Sequence, residues 1–295
     1  MGRGLWIRLV LATLCLVSGC DSAKGIADPI PDGKPVPMTA REVPRPDHVV
    51  IVVFENKTWA TVTPSNAPYL TSLAEAGAHF TDAHGVAHPS QPNYIALFSG
   101  STQDVADDSC PRVLSGPNLA SELLAAGRTF TGYSEDLPAA GSTACESGAY
   151  HRKHNPWVDF PDLPPAVNQP LTALPTDFDQ LPTVAFVVPN LCNDMHDCSV
   201  ARGDRWAEQH LSGYVDWAQE HNSLLVVTFD ESEGEASANH ILTVLVGPMV
   251  REGDSDQPID HYSVLRTVEE MYGLPPLGLA ANREPITDIW TASSH

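Results

Sequence analysis

Basic residues are scarce: the 295-residue chain carries 16 Lys and Arg against 37 Asp and Glu, a formal net charge of −21. So acidic a surface repels polyanions, which argues against nucleic acid as a partner and against general adhesion to anionic lipid. It leaves room for an anionic substrate drawn into one cleft by local cations or a metal. No apolar run reaches the roughly 20 residues of a membrane-spanning helix. No Gly-x-Ser-x-Gly elbow occurs, which disfavours a serine esterase of that type. There is no internal repeat, and the six cysteines match no zinc-finger or ribbon spacing.

The N-terminus reads as an export signal. Arg3 and Arg8 flank the start of an apolar run that ends in Leu16-Val17-Ser18-Gly19-Cys20. That ending resembles a bacterial lipobox, so residues 1–20 are expected to be a signal peptide and Cys20 to carry lipid. The chain is then either a cell-envelope lipoprotein held to the membrane by its N-terminal lipid or, after ordinary cleavage, a secreted protein. Residues 21–47 hold prolines at 29, 31, 35, 37, 44 and 46 and no apolar periodicity, as in a semi-rigid tether. Residues 48–295 suffice for one domain with a single large core, expected to be a monomer. Its four cysteines allow three pairings in an oxidising compartment, and the two local ones, Cys110–Cys145 and Cys192–Cys198, are favoured.

Short β-rich runs alternate with amphipathic helical patterns, which predicts an α/β fold: a three-layer α/β/α sandwich around a largely parallel sheet. Strands are predicted at 48–54, 129–133, 183–188, 224–229 and 241–246. Helices are predicted at 68–76, 117–126, 205–220 with Asp204 as its cap, and 263–272. The proline-rich stretch 138–180 reads as loops covering one face.

Chemistry concentrates after the strands. His88-Pro89-Ser90-Gln91-Pro92-Asn93-Tyr94 places a serine in a stiff loop at the start of a short apolar helix. Free N–H groups and the helix dipole there favour an anion. Glu55-Asn56, Glu135-Asp136, Asn193-Asp194-Met195-His196-Asp197 and Asp230-Glu231 each follow a predicted strand. In open α/β sheets that is the ligand-binding edge. Converging carboxylates repel one another unless a cation joins them, and oxygen donors suit a hard divalent ion. The resulting expectation is phosphoryl transfer through Ser90. Glu55, Asn56, Ser90, Asp230 and Glu231 would be metal ligands. Asn93 would be a donor to phosphoryl oxygens, and His196 the general acid and later base. His88 and His261 are rivals for that last role. Asp194, Asp197, Lys153 and His154 are candidates for substrate contact or for supporting the ligands.

The segments VVIVVFEN (49–56), HPSQPNY (88–94), PNLCNDMHD (189–197), VVTFDESEG (226–234) and HYSVLRTVEEMYGL (261–274), in this order, resemble the bacterial phosphoesterase family of acid phosphatases and phospholipases C. The resemblance implies an alkaline-phosphatase-like fold and an exported acid phosphatase acting on phosphate monoesters. It further implies a divalent metal (Mg, Ca, Mn or Zn), Ser90 as nucleophile, Glu55, Asn56, Asp230 and Glu231 as ligands, and His196 in the site. GYSEDLPAAGSTAC (132–145) and PITDIW (285–290) extend it towards members acting on phosphatidylinositol 3-phosphate, so the substrate is expected to be a phosphorylated small molecule or a lipid head group. The alternatives are a phospholipase C-type phosphodiesterase on the same scaffold and a non-catalytic ligand-binding lipoprotein. The chain departs from the family pattern at Phe54, where a second acid is common, and at Cys198, where a glycine is common.

Overall fold

The computed structural model describes residues 43–234 and 238–291. The signal, Cys20 and most of the tether therefore lie outside the described residues. The strands are β1 (His48–Phe54), β2 (Ala78–Phe80), β3 (Ala83–His84), β4 (Phe130–Ser134), β5 (Glu146–Ser147), β6 (Tyr150–His151), β7 (Asn168–Pro170), β8 (Val184–Val188), β9 (Ser223–Phe229), β10 (Thr243–Val246), β11 (Gly253–Ser255) and β12 (Ile259–Asp260). The helices are α1 (Pro68–Ala76), α2 (Ser90–Ser99), α3 (Leu119–Ala125), α4 (Val200–Ala218) and α5 (His261–Tyr272).

Eight strands form the central sheet in the order β11-β2-β10-β9-β1-β8-β4-β7. The segment β9-β1-β8-β4-β7 is parallel throughout, and β10 runs antiparallel to β9 and β2. β1 sits between β9 and β8, paired from His48–Ser223 to Phe54–Phe229 on one side and from Val49–Val184 on the other. All but its first residue are buried, as expected for a strand covered on both faces. α1 packs on α4, and α2 packs on α3 and α5, giving the helical layers. α2 is buried along its whole length and therefore carries no clear amphipathic stripe. It ends at Gly100, which has φ +71° and whose hydrogen a Cβ would replace only by colliding with the Leu277 carbonyl.

Asp204 departs from its expected role. α4 begins five residues earlier than the periodicity places it, at Val200, so Asp204 lies inside the helix. Its carboxylate instead accepts the Leu70 N–H at 2.8 Å and the Tyr69 N–H at 3.2 Å, capping α1. The requirement for a cap was local, but the donor came from another helix. Both disulfides are present, Cys110–Cys145 and Cys192–Cys198. Between Pro138 and Gln180 the chain forms short 3-10 turns and the small strands β5, β6 and β7.

Candidate active site

Ser90 opens α2 and is buried. Its hydroxyl donates to Glu55 Oε2 at 2.9 Å. One turn further on, the Tyr94 hydroxyl donates to Glu55 Oε1 at 2.5 Å. Residues four apart share a helix face, so α2 presents both hydroxyls to the carboxylate that ends β1. Tyr94 went unnoticed in the sequence as a site residue, although its spacing from Ser90 was the available signal.

The neighbouring strand ends complete the cluster. Asp230 follows β9 and donates its N–H to the Phe54 carbonyl at 2.9 Å, which sets it beside Glu55. Asn56 takes a left-handed conformation, φ +53°, which asparagine tolerates. Its backbone N–H donates to Asp230 Oδ1 at 2.9 Å and its side-chain amide to Glu55 Oε2 at 3.1 Å. Asn56 thus braces two carboxylates through its N–H and its amide nitrogen.

After β8, the Asp194 carbonyl accepts the Glu55 N–H at 2.8 Å, and Asp194 Oδ1 accepts the His196 N–H at 2.8 Å. His154 completes the group. Its Nε2 lies 3.2 Å from Glu55 Oε1 and its Nδ1 3.4 Å from Asp194 Oδ2. Its ring stacks on Tyr94 with centroids 4.9 Å apart. One ligating atom from each of Glu55, His154 and Asp194 falls within 4.8 Å of the others.

Three buried atoms here have no hydrogen-bond partner: His154 Nε2, Asp194 Oδ2 and Asp230 Oδ2. Burial pushes the Glu55 carboxyl well above the usual range, reinforced by the charges of Asp230 and Asp194. Burial likewise raises Asp194, and raises Asp230 to about 6. Burial lowers His154 well below the usual imidazole value, with Lys153 and His196 adding to the effect, so the ring is neutral and able to ligate. Carboxylates that resist ionisation, a neutral imidazole and unsatisfied acceptors fit a divalent cation.

The remaining expected residues take different positions. Glu231 has partners of its own: its Oε2 meets His88 Nδ1 at 2.9 Å and accepts from the Asn93 amide at 3.2 Å. Burial, then the charges of Asp230 and Asp108, raise it to about 8. Asn93 is committed to the loop before Ser90. Its Oδ1 accepts the Val86 and Ala87 N–H groups at 2.9 Å each, and its amide donates to the Ala87 carbonyl at 2.9 Å. It therefore shapes the cradle rather than offering free donors to phosphate.

His261 sits buried under Asp230, with Nε2 2.6 Å from the Asp230 carbonyl, and burial lowers its pKa. That position removes it as a rival general acid. His196 is partly exposed, pairs through Nδ1 with Asp197 at 2.7 Å, and lies 6.3 Å ring to ring from His154. Lys153 pairs with Asp108 at 2.8 Å.

A profile of the phosphoesterase family matches residues 60–275. The phosphatidylinositol-3-phosphatase of Mycobacterium tuberculosis is 51% identical over 260 residues, covering 86% of this chain and 86% of that protein. The phosphate-repressible acid phosphatase of Penicillium chrysogenum is 31% identical over 229 residues, 71% of this chain; the aligned part is 55% of that longer protein. A solved structure of an alkaline phosphatase superfamily protein from Vibrio parahaemolyticus superposes with a TM-score of 0.56 at 12% identity, over 82% of this chain and 71% of that one. At that identity the likeness concerns the fold, and it agrees with the α/β/α architecture.

Proposed function

The chain belongs to the phosphoesterase family, and we propose that it is an exported acid phosphatase that cleaves phosphate monoesters through a phosphoserine at Ser90. The observation that carries this reading is the Ser90 hydroxyl, 2.9 Å from Glu55 at the first residue of a ten-residue helix, inside a buried carboxylate cluster with unpartnered oxygens. The helix start supplies N–H groups and positive potential to the phosphoryl oxygens. Glu55 takes the Ser90 proton as Oγ attacks phosphorus in line, and returns it to Oγ when phosphate leaves. The P–O bond to the alcohol then breaks, and His196, paired with Asp197, would protonate the departing oxygen. Water, deprotonated by the same imidazole, attacks the phosphoserine and releases phosphate.

Glu55, His154 and Asp194, with Asp230 and the Ser90 hydroxyl beside them, would hold a divalent cation that places positive charge against the phosphoryl oxygens and the attacking oxygen. The imidazole among these donors shifts the preference from magnesium or calcium towards zinc. The 51% identity to a phosphatidylinositol-3-phosphatase supports a phosphoinositide head group as substrate. Anchorage at Cys20 would place the domain beside such lipids.

The test compares wild type with Ser90→Ala on a phosphate monoester and a diester, with and without chelator. The reading expects loss of about four orders of magnitude in kcat for Ser90→Ala, suppression by chelator, and preference for the monoester. Unchanged turnover in Ser90→Ala would sink the mechanism, and preference for the diester would make the protein a phosphodiesterase.

A further inference from the structure

The four site carboxylates, Glu55, Asp194, Asp230 and Glu231, make this edge of the sheet hostile to a phosphate dianion unless cations offset them. Lys153 supplies one such charge. Its ammonium is largely buried, and it donates to Asp108 Oδ2 at 2.8 Å. The other oxygen, Asp108 Oδ1, accepts the Gln91 N–H at 2.9 Å. Gln91 follows Ser90 in the first turn of α2. One carboxylate therefore grips both the start of the nucleophile helix and the lysine. An ammonium has three N–H donors, so one bond to Asp108 leaves two for a ligand.

The position of Asp108 is built rather than incidental. Two residues on, Cys110 is bonded to Cys145, which ties this loop to the segment that carries Lys153. Arg152, the neighbour of Lys153, is buried and forms an ion pair with Asp159 at 2.9 Å. It also donates to the Arg112, Thr143 and Val158 carbonyls. Both chain segments are thereby locked against α2. The Lys153 charge reaches Glu55, Asp194 and Glu231, each of which it holds down against the dominant effect of burial.

We propose that Lys153 is the phosphate-recognising cation of this site, and that Asp108 is a positioning residue that aims its ammonium and the start of α2 at the same phosphoryl group. Neither residue takes part in bond breaking. Lys153 contributes to holding the phosphate, and Asp108 acts only through Lys153 and the Gln91 N–H. The inference rests on Ser90 as the point of attack, and phosphate binding to catalytically dead protein separates the two.

The experiment uses the full chain with its metal, p-nitrophenyl phosphate as substrate and inorganic phosphate as competitive inhibitor. Lys153→Met is expected to raise KM and the phosphate inhibition constant about tenfold, the loss of one charge-assisted hydrogen bond, with kcat changed less. Lys153→Arg is expected to restore most of that. Asp108→Asn keeps an acceptor for Gln91 but sets an amide against the ammonium, so KM and the inhibition constant should move in the same direction. The double variant should be no worse than Lys153→Met, because a residue that acts through another is non-additive with it. In a Ser90→Ala background, calorimetry should show phosphate binding that Lys153→Met weakens, whether or not Ser90 is the nucleophile. An unchanged inhibition constant in Lys153→Met overturns the proposal. So do additive effects in the double variant, or an Asp108→Asn protein with a lowered melting temperature and unaltered KM.

Discussion

Two acidic groups lie along the same edge of the sheet and have opposite fates. Glu135 and Asp136 follow β4, while Glu55, Asp194 and Asp230 follow β1, β8 and β9. Around β4 the protein supplies the donors. Glu135 accepts the Asn190 N–H at 3.0 Å and the Asn193 amide at 2.9 Å, and Asp136 accepts the Asn190 amide at 2.7 Å. Both acids have donors from the chain, and they hold the 190–197 loop in place. Around β1 the carboxylates are more deeply buried, yet Asp194 Oδ2 and Asp230 Oδ2 have no donor. An unsatisfied buried acceptor costs about 1–3 kcal/mol, a cost that a cation bound beside these oxygens would offset. The comparison separates acids that build a site from acids that serve a ligand, a distinction invisible in a list of Asp and Glu.

The sharpest way to break the comparison is to neutralise one acid of each kind. Glu55→Gln is expected to lower kcat/KM by about three orders of magnitude, because it disturbs the cation, Ser90 and Tyr94 together. Glu135→Gln should leave kcat/KM within about threefold while lowering stability by roughly 1–2 kcal/mol, since an amide nitrogen would then face the Asn190 or Asn193 donors. Equal losses of activity in both variants would erase the distinction.

Metal removal gives the next effect. Chelator should lower the melting temperature of the wild type and leave that of Asp194→Asn nearly unmoved. In chelator the variant should be the more stable protein, because one buried repulsive charge is gone. Cys192→Ser with Cys198→Ser should cost about 2 kcal/mol, the entropy of closing so short a loop, measured by denaturant unfolding. The same variant should also reduce kcat, since the bridge encloses His196.

The smallest effect tests a buried acid remote from the site. Glu269 accepts the Leu277 N–H at 2.9 Å, its other oxygen has no partner, and burial raises it to about 7 from 4.5. The folded state thus holds its proton after the unfolded state has released it, so stability falls as pH rises from about 4.5 to about 7. Glu269→Gln, which keeps the acceptor, should therefore gain on wild type by roughly 5 °C in melting temperature at pH 8, with little difference at pH 4. A constant gap between the two pH values would refute the assignment.

Much of this was legible in local patterns. The proline that opens residues 68–76 and the glycine that follows them gave α1 its bounds, and the apolar run at 48–54 gave β1, because both depend on short-range sterics and burial. Ser90 at a helix start was legible for the same reason. Less legible were Tyr94, whose spacing was the signal, and Asp108, which carries none: one acid among several in a polar loop reads as solvated. Asn93 fits the chemistry by type, but its amide oxygen and nitrogen are already engaged within the fold, and His261 Nε2 is engaged at the Asp230 carbonyl.

The sequence by itself determined the layered α/β fold, the serine at a helix start, the acids after the strands and the family to which the chain belongs, because strand and helix periods and motif order are written locally. Tertiary structure alone decided which acids are satisfied, that His154 meets Glu55, that Asp204 caps another helix, and that Asp108 joins Lys153 to α2. Each of those depends on groups from distant segments meeting within hydrogen-bond distance, and whether a buried acceptor is filled is a property of that meeting, not of the residue.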